Sequence, residues 1–246
     1  MLSACFVLGV FTVSHAQVLT SDSFSYTGAL TSNGWVAHSG AGAKTIMANG
    51  AYALLNQSSG SGEDVHLSFT AQATSDTTYA AFDFLVETAN VSALTNGLYS
   101  FHLSDGGTSA FRARTGILAP SGSGDFRIGI NSDNANLSAG AQTGGLNFET
   151  RYRVVVSWDA TNGQSKLWIN PTLESDPFIT HTSGATSGLA VSAVNLRQSA
   201  DYTGFQRFDN VIAGKSFGDV QPVPEPASLI ALGLGAAALL RRKRRA

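Results

Sequence analysis

The chain has 246 residues, 43% of them hydrophobic and only 13% charged, which supplies enough apolar material for a proper core and excludes a charged, disordered polymer. Five of its 15 basic residues stand together from Arg241 to Arg245, so the remainder carries ten Lys and Arg against 17 acids. That negative balance argues against a nucleic-acid partner, which needs a basic patch.

At the N-terminus, Met1 to Val13 is almost wholly apolar and Ser14-His15-Ala16 precedes Gln17. This fits the small-x-small rule, so residues 1–16 are expected to be a signal peptide cut by signal peptidase after Ala16. No Lys or Arg precedes the apolar run, a departure that leaves room for a start upstream of Met1. Cys5 is the only cysteine and lies inside this run, so the exported chain would hold no disulfide and no thiol. Leu2-Ser3-Ala4-Cys5 also matches the spacing of a lipoprotein cleavage site, but apolar Phe6-Val7-Leu8 follows where a mature end should turn polar.

From 17 to 219 short runs alternate apolar and polar residues, the period of half-buried strands. Val65-Leu67-Phe69, Phe82-Phe84-Val86, Tyr99-Phe101-Leu103, Phe126-Ile128-Ile130, Tyr152-Val154-Val156-Trp158 and Leu167-Ile169 each predict one face toward a core. Turn signals separate them: Asp105-Gly106-Gly107, Ser121-Gly122-Ser123-Gly124 and Asn162-Gly163. No long amphipathic helix and no fixed repeat period can be read, which disfavours a β-helix. The expected fold is all-β, an antiparallel two-sheet sandwich of the jelly-roll kind. The best-determined element is a hairpin from Arg151 to Asn170, whose Asn-Gly turn can take positive φ.

After Asp219 the chain becomes Val-Gln-Pro-Val-Pro-Glu-Pro, a stiff spacer over 220–226. An uncharged stretch follows over 227–240, 14 residues long, short against the roughly 20 that a helix needs to cross a bilayer. The basic tail, 241–246, would be held on the cytoplasmic side. A signal helix at the front and a short transmembrane helix at the back thus complete the expected organisation.

Val223-Pro224-Glu225-Pro226, the apolar run and Arg241-Arg242-Lys243-Arg244-Arg245 together resemble the PEP-CTERM sorting domain. All three parts occur in order over about the last 25 residues. The resemblance implies that exosortase, a membrane transpeptidase of bacteria that make exopolysaccharide, is the partner. It implies Pro224, Glu225 and Pro226 as the sorting motif and Arg241, Arg242, Lys243, Arg244 and Arg245 as the retention signal. Such a protein would be exported, anchored by its tail until sorted, and then placed at the cell envelope surface or outside it. Separately, the hairpin Arg151 to Asn170 and the strand Arg207-Phe-Asp-Asn-Val-Ile-Ala-Gly214 resemble parts of concanavalin A-like and laminin G-like jelly rolls.

Little catalytic chemistry can be read. Jelly-roll glycosidases commonly carry Glu-x-Asp-x-x-Glu on one strand, so that one carboxyl donates a proton while another attacks, and no such run exists here. Asp83 and Glu87 share a strand face but would lie roughly 13 Å apart, too far for either glycosidase geometry. His38, His66, His102 and His181 are scattered singly, without zinc-site spacing. The Asn131-Ser132-Asp133-Asn134-Ala135-Asn136 loop offers oxygens for calcium but lacks the order of a known cation loop. No cofactor and no metal are therefore expected. Trp168, sharing a face with Lys166 and Asn170 opposite Leu167 and Ile169, is the candidate to stack on a sugar ring. The expected role is non-catalytic, structural or weakly glycan-binding in an exopolysaccharide setting. The alternative is a carbohydrate-active enzyme, a hydrolase or lyase, which a clustered acid, Arg and Tyr set in one groove would favour.

Overall fold

A computed structural model describes residues 17–57, 62–199 and 204–222. The expected signal peptide, the Pro-Glu-Pro motif, the apolar segment and the basic cluster lie outside these residues. In chain order the strands are β1 (Val18–Asp22), β2 (Thr27–Ala29), β3 (Val36–Ser39), β4 (Met47–Asn49), β5 (Ala53–Asn56), β6 (Asp64–Ser68), β7 (Thr77–Val86) and β8 (Leu98–Ser104). They continue with β9 (Phe111–Leu118), β10 (Arg127–Asn131), β11 (Ala141–Gln142), β12 (Tyr152–Asp159), β13 (Gln164–Ile169), β14 (Phe178–Thr182), β15 (Ala193–Leu196) and β16 (Phe205–Gly214). The helical elements among the described residues are four single 3-10 turns.

The strands form two antiparallel sheets. The first runs β14-β13-β12-β7-β16-β5-β4-β2, with β1 paired to β16, and the second runs β11-β10-β9-β8-β15-β6-β3. The expected two-sheet sandwich is what the alternation produces. Inward residues of both sheets meet in one core, where Phe82 of the first sheet stands 4.3 Å, ring to ring, from Phe101 of the second and 5.1 Å from Phe208. Such aromatic pairs add about 0.5–1.5 kcal/mol each beyond the area they bury. Trp35 and Trp158 lie in this core with their indole N–H groups satisfied by Asp22 Oδ2 and the Leu189 carbonyl.

The β12–β13 hairpin pairs Val154 with Ile169 through Asp159 with Gln164. Gly163 takes φ +62°, the conformation its Asn-Gly signal requires, and Asp159 accepts from the Asn162 backbone and side-chain N–H groups to close the loop.

Departures from plain alternation in β8 and β9 position the site. In β8 the register shifts between Tyr99 and Phe101, so Tyr99, expected inward beside Phe101 and Leu103, packs outside the main core with Leu118 and Leu137. In the partner strand β9, Ala113 adopts φ +49° within another register shift. An extra residue in a bulge turns the following side chains over. Ala113 thereby faces the core, while Phe111 and Arg114 are delivered to the opposite side.

Candidate functional site

The sandwich has two outer faces, and they are built differently. On the first sheet, Arg151 bridges Asp83 at 2.6 Å and also Asp209, Arg153 reaches Asp83 at 3.3 Å, and Arg207 reaches Glu87 at 2.6 Å. Asp83 and Glu87, the acids that share a strand pattern in the sequence, thus serve as counter-ions to arginines of neighbouring strands. A cleft of about 550 Å³ opens beside this network, lined by Asp22, Asp83, Arg153, Asn210, Gln221 and Pro222. Its carboxylates are already engaged, since Asp22 accepts from the Phe24 backbone, the Tyr26 hydroxyl and the Trp35 indole.

Trp168 belongs to the same outer face. It points away from the main core, as its period demands, but it is only 1% exposed. Phe217 and Val220, from the turn after β16, close over it together with Ala81 and Val155. Its indole N–H donates to the Glu174 carbonyl at 3.1 Å, and the rings of Phe178 and Phe217 lie 5.3 and 5.5 Å away. No ring face remains for a pyranose, so the sugar-stacking role expected of Trp168 is corrected: this indole packs a second, smaller apolar layer.

On the second sheet the register aligns His66, Asn195 and His102 in one row across β6, β15 and β8. Cross-strand partners share a face, so all three point outward, and Asn195 is fixed there by the Ser104 hydroxyl and the His102 carbonyl. His38, on edge strand β3, leans over this row: its ring lies 5.6 Å from His66, 6.1 Å from His102 and 6.0 Å from Phe111. Phe111 in turn stands 4.2 Å from His102. Beside them Arg114 and Arg197 sit over the Tyr99 ring, 5.2 and 4.3 Å from its centroid. The histidines, scattered in the sequence, are gathered here by sheet register, while His181 stays apart and accepts from the Ser132 backbone N–H.

Burial sets the charge of this face. His102 is fully buried, neither ring nitrogen has a partner, and desolvation holds its pKa well below the ordinary value. Burial likewise lowers His66, and burial followed by repulsion from His66 lowers His38 to about 4. All three rings are therefore neutral at pH 7, and the fixed positive charge beside them comes from Arg114 and Arg197. These two guanidiniums bond to main-chain carbonyls, Arg114 to Asp133 and Arg197 to Tyr99. Among the described residues, neither lies within ion-pair distance of a carboxylate.

No group of three His, Cys, Asp or Glu among the described residues converges to hold a metal ion. The amide oxygens of Asn131, Asn134 and Asn136 are turned onto their own loop, and the Asp133 carboxylate accepts from the Ser183 hydroxyl. Asn131 Oδ1 accepts from the Asp133 and Asn134 backbones, Asn134 Oδ1 from Asn136, and Asn136 Oδ1 from Ser138. The segment, whose order in the sequence departs from a known cation loop, makes successive Asx turns.

Residues 222–245 match the PEP-CTERM protein-sorting motif. This chain carries a PEP-CTERM tail. Such a tail marks export and a C-terminal membrane-anchored sorting step by exosortase. No curated protein matches the chain by sequence. Among solved structures, a sialidase superposes with a TM-score of 0.55 at 14% identity over 83% of this chain, which spans only 19% of that one. The CBM2 module of the evolved Dit of Lactobacillus casei BL23 phage J-1 gives 0.51 at 12% identity, over 81% of this chain and 95% of that one. The metal-free lectin I-B4 of Griffonia simplicifolia gives 0.47 at 11% identity, over 79% and 98%. At these identities the sialidase and the CBM2 module show a likeness of fold alone, and the fold of this chain is an antiparallel two-sheet jelly-roll sandwich.

Proposed function

We propose that this PEP-CTERM protein is delivered to the outside of the cell envelope, where its sandwich acts as a non-catalytic glycan-binding module of the exopolysaccharide matrix. In this reading signal peptidase removes 1–16 and the sandwich occupies 17–219. Exosortase reads Pro224-Glu225-Pro226, while 227–240 and Arg241 to Arg245 hold the tail in the membrane until the cut. The observation that supports the glycan role is the outer face of the second sheet. It offers Phe111, the His38 and His66 imidazoles, and Arg114 and Arg197 seated over the buried Tyr99 ring, a mixture of rings and planar donors that meets a sugar's apolar and hydroxyl faces.

The competing reading, a carbohydrate-active enzyme, needs an acid among the Arg and Tyr residues to hand on a proton. Tyr99 and two arginines are grouped on this face, but the neighbouring Asp133 carboxylate is held by the Ser183 hydroxyl at 2.6 Å. Binding without turnover is the reading this arrangement favours.

Two measurements test it. Intact mass of the protein from its native envelope and medium, with and without the exosortase gene, should show loss of 1–16 in both strains and loss of the tail only when exosortase is present. Exopolysaccharide from the same cells should retain the protein and keep its chain length after prolonged incubation. Shortening of the polymer would overturn the non-catalytic reading, and an uncut tail in both strains would overturn the sorting one.

A further inference from the structure

Arg114 and Arg197 are the unusual charges of this molecule. They arrive from different strands, one from the bulged β9 and the other just past β15, and both stand over a single phenol ring that is 8% exposed. Like charges gathered over one ring repel. Desolvation and the charge of Arg197 both pull the Arg114 guanidinium below its ordinary range, opposed by Tyr99 and Asp133. Arg151, Arg153 and Arg207, on the other sheet, meet this problem with carboxylates at ion-pair distance. On the second sheet the nearby acids are committed elsewhere. Asp133 gives Arg114 its carbonyl and gives Ser183 its carboxylate, while Asp64 accepts from the Ser39 hydroxyl and the Gln198 backbone. Arg114 Nε is buried and has no partner at all.

A half-desolvated guanidinium pair that meets main-chain carbonyls and no carboxylate is a fork for an external oxyanion, worth more here than on an open surface because water screens it less. Phe111 lies alongside, its ring 5.2 Å from the Arg114 guanidinium, and offers an apolar shelf next to the charge. The neighbouring imidazoles are neutral, so the anion requirement rests on the two arginines.

We infer that Arg114 and Arg197, over Tyr99, form a subsite for the carboxylate of an acidic polysaccharide, a uronate unit whose ring lies toward Phe111. This rests on the glycan-binding reading above and sharpens it from any glycan to an anionic one. A neutral polymer would leave both guanidiniums as they are and gain little from the site.

The test uses the full-length protein in detergent, measured against immobilised polyglucuronate, polygalacturonate and polymannuronate and against the same polymers after carboxyl reduction to neutral sugars. At least one polyuronate should bind tenfold or more tighter than its reduced form, with affinity falling as salt rises. The double substitution Arg114→Gln, Arg197→Gln should erase that preference while the thermal midpoint holds. Should the double variant melt early, Arg197→Lys keeps the charge, loses the fork and reads the same point through a smaller loss. Equal binding of a polyuronate and its reduced form, or preference untouched by these substitutions, would overturn the inference and leave the glycan-binding reading standing. A protein that binds none of the polymers, charged or reduced, would bring down both.

Discussion

The two outer faces of this sandwich come from the same kind of strand, polar residues alternating with core residues, yet they have opposite characters. The first sheet's face is finished by the protein itself. Its arginines are matched to Asp83, Asp209 and Glu87, and its tryptophan is roofed by Phe217 and Val220. The second sheet's face leaves its charges unmatched, with two arginines over one tyrosine, neutral histidines and no carboxylate in ion-pair reach among the described residues. A face that satisfies its own charges contributes to stability, and one that does not is available to a partner. Exposure alone would not have separated them.

The contrast can be broken most forcefully at Trp168. Trp168→Ala should cost about 3–4 kcal/mol in urea unfolding, the price of removing a large buried ring, and leave glycan retention unchanged in the fraction that stays folded. Lost retention at full folding would move the binding face to the first sheet.

Next in size is Asp83→Asn, which strands Arg153, a cation lowered by burial, beside Arg151. We expect about 2 kcal/mol of destabilisation, less than a fully buried pair because Arg151 is largely exposed. An unchanged unfolding midpoint would show that the network is decorative.

Acid should act on the other face. His38, His66 and His102 all have folded pKa values below the unfolded value near 6.5, so the unfolded chain binds more protons and stability falls as pH drops through 6.5 toward about 4. His38 should carry part of that loss, reduced by the water that still reaches its ring. His38→Asn should flatten the profile there, and an unaltered profile would mean that the ring is hydrated.

Smallest of all is the stability effect of Arg197→Gln, expected within about 0.5 kcal/mol and leaning toward stabilisation, because it relieves repulsion and breaks no ion pair. A loss of several kcal/mol would show that the arginine holds the fold together.

Much of this architecture was legible in the residues. Phe82-Phe84-Val86 and Tyr152-Val154-Val156-Trp158 announce their faces by period, and Asn162-Gly163 announces its turn. The sorting tail is legible because its three parts must occur in order. The candidate site was not, for two physical reasons. Its members are cross-strand neighbours, and register across β3, β6, β15, β8 and β9 depends on loops that carry no periodic signal. Phe111-Arg112-Ala113-Arg114-Thr115 also reads as simple alternation, which would put both arginines on one side, until the positive φ at Ala113 separates them. Trp168 shows the complementary failure: its direction follows from local period, but its cover comes from Phe217 and Val220, far along the chain.

One small contact has mechanical meaning. The backbone N–H of Gln17 donates to Asp219 Oδ1 at 2.9 Å, and β1 runs antiparallel to β16, so the two points where the chain enters and leaves the sandwich are side by side. In the proposed processing Gln17 becomes a free end, and the segment after Asp219 is then the only thread by which the sandwich hangs. A pull on that thread meets first the corner where β1 zips onto β16.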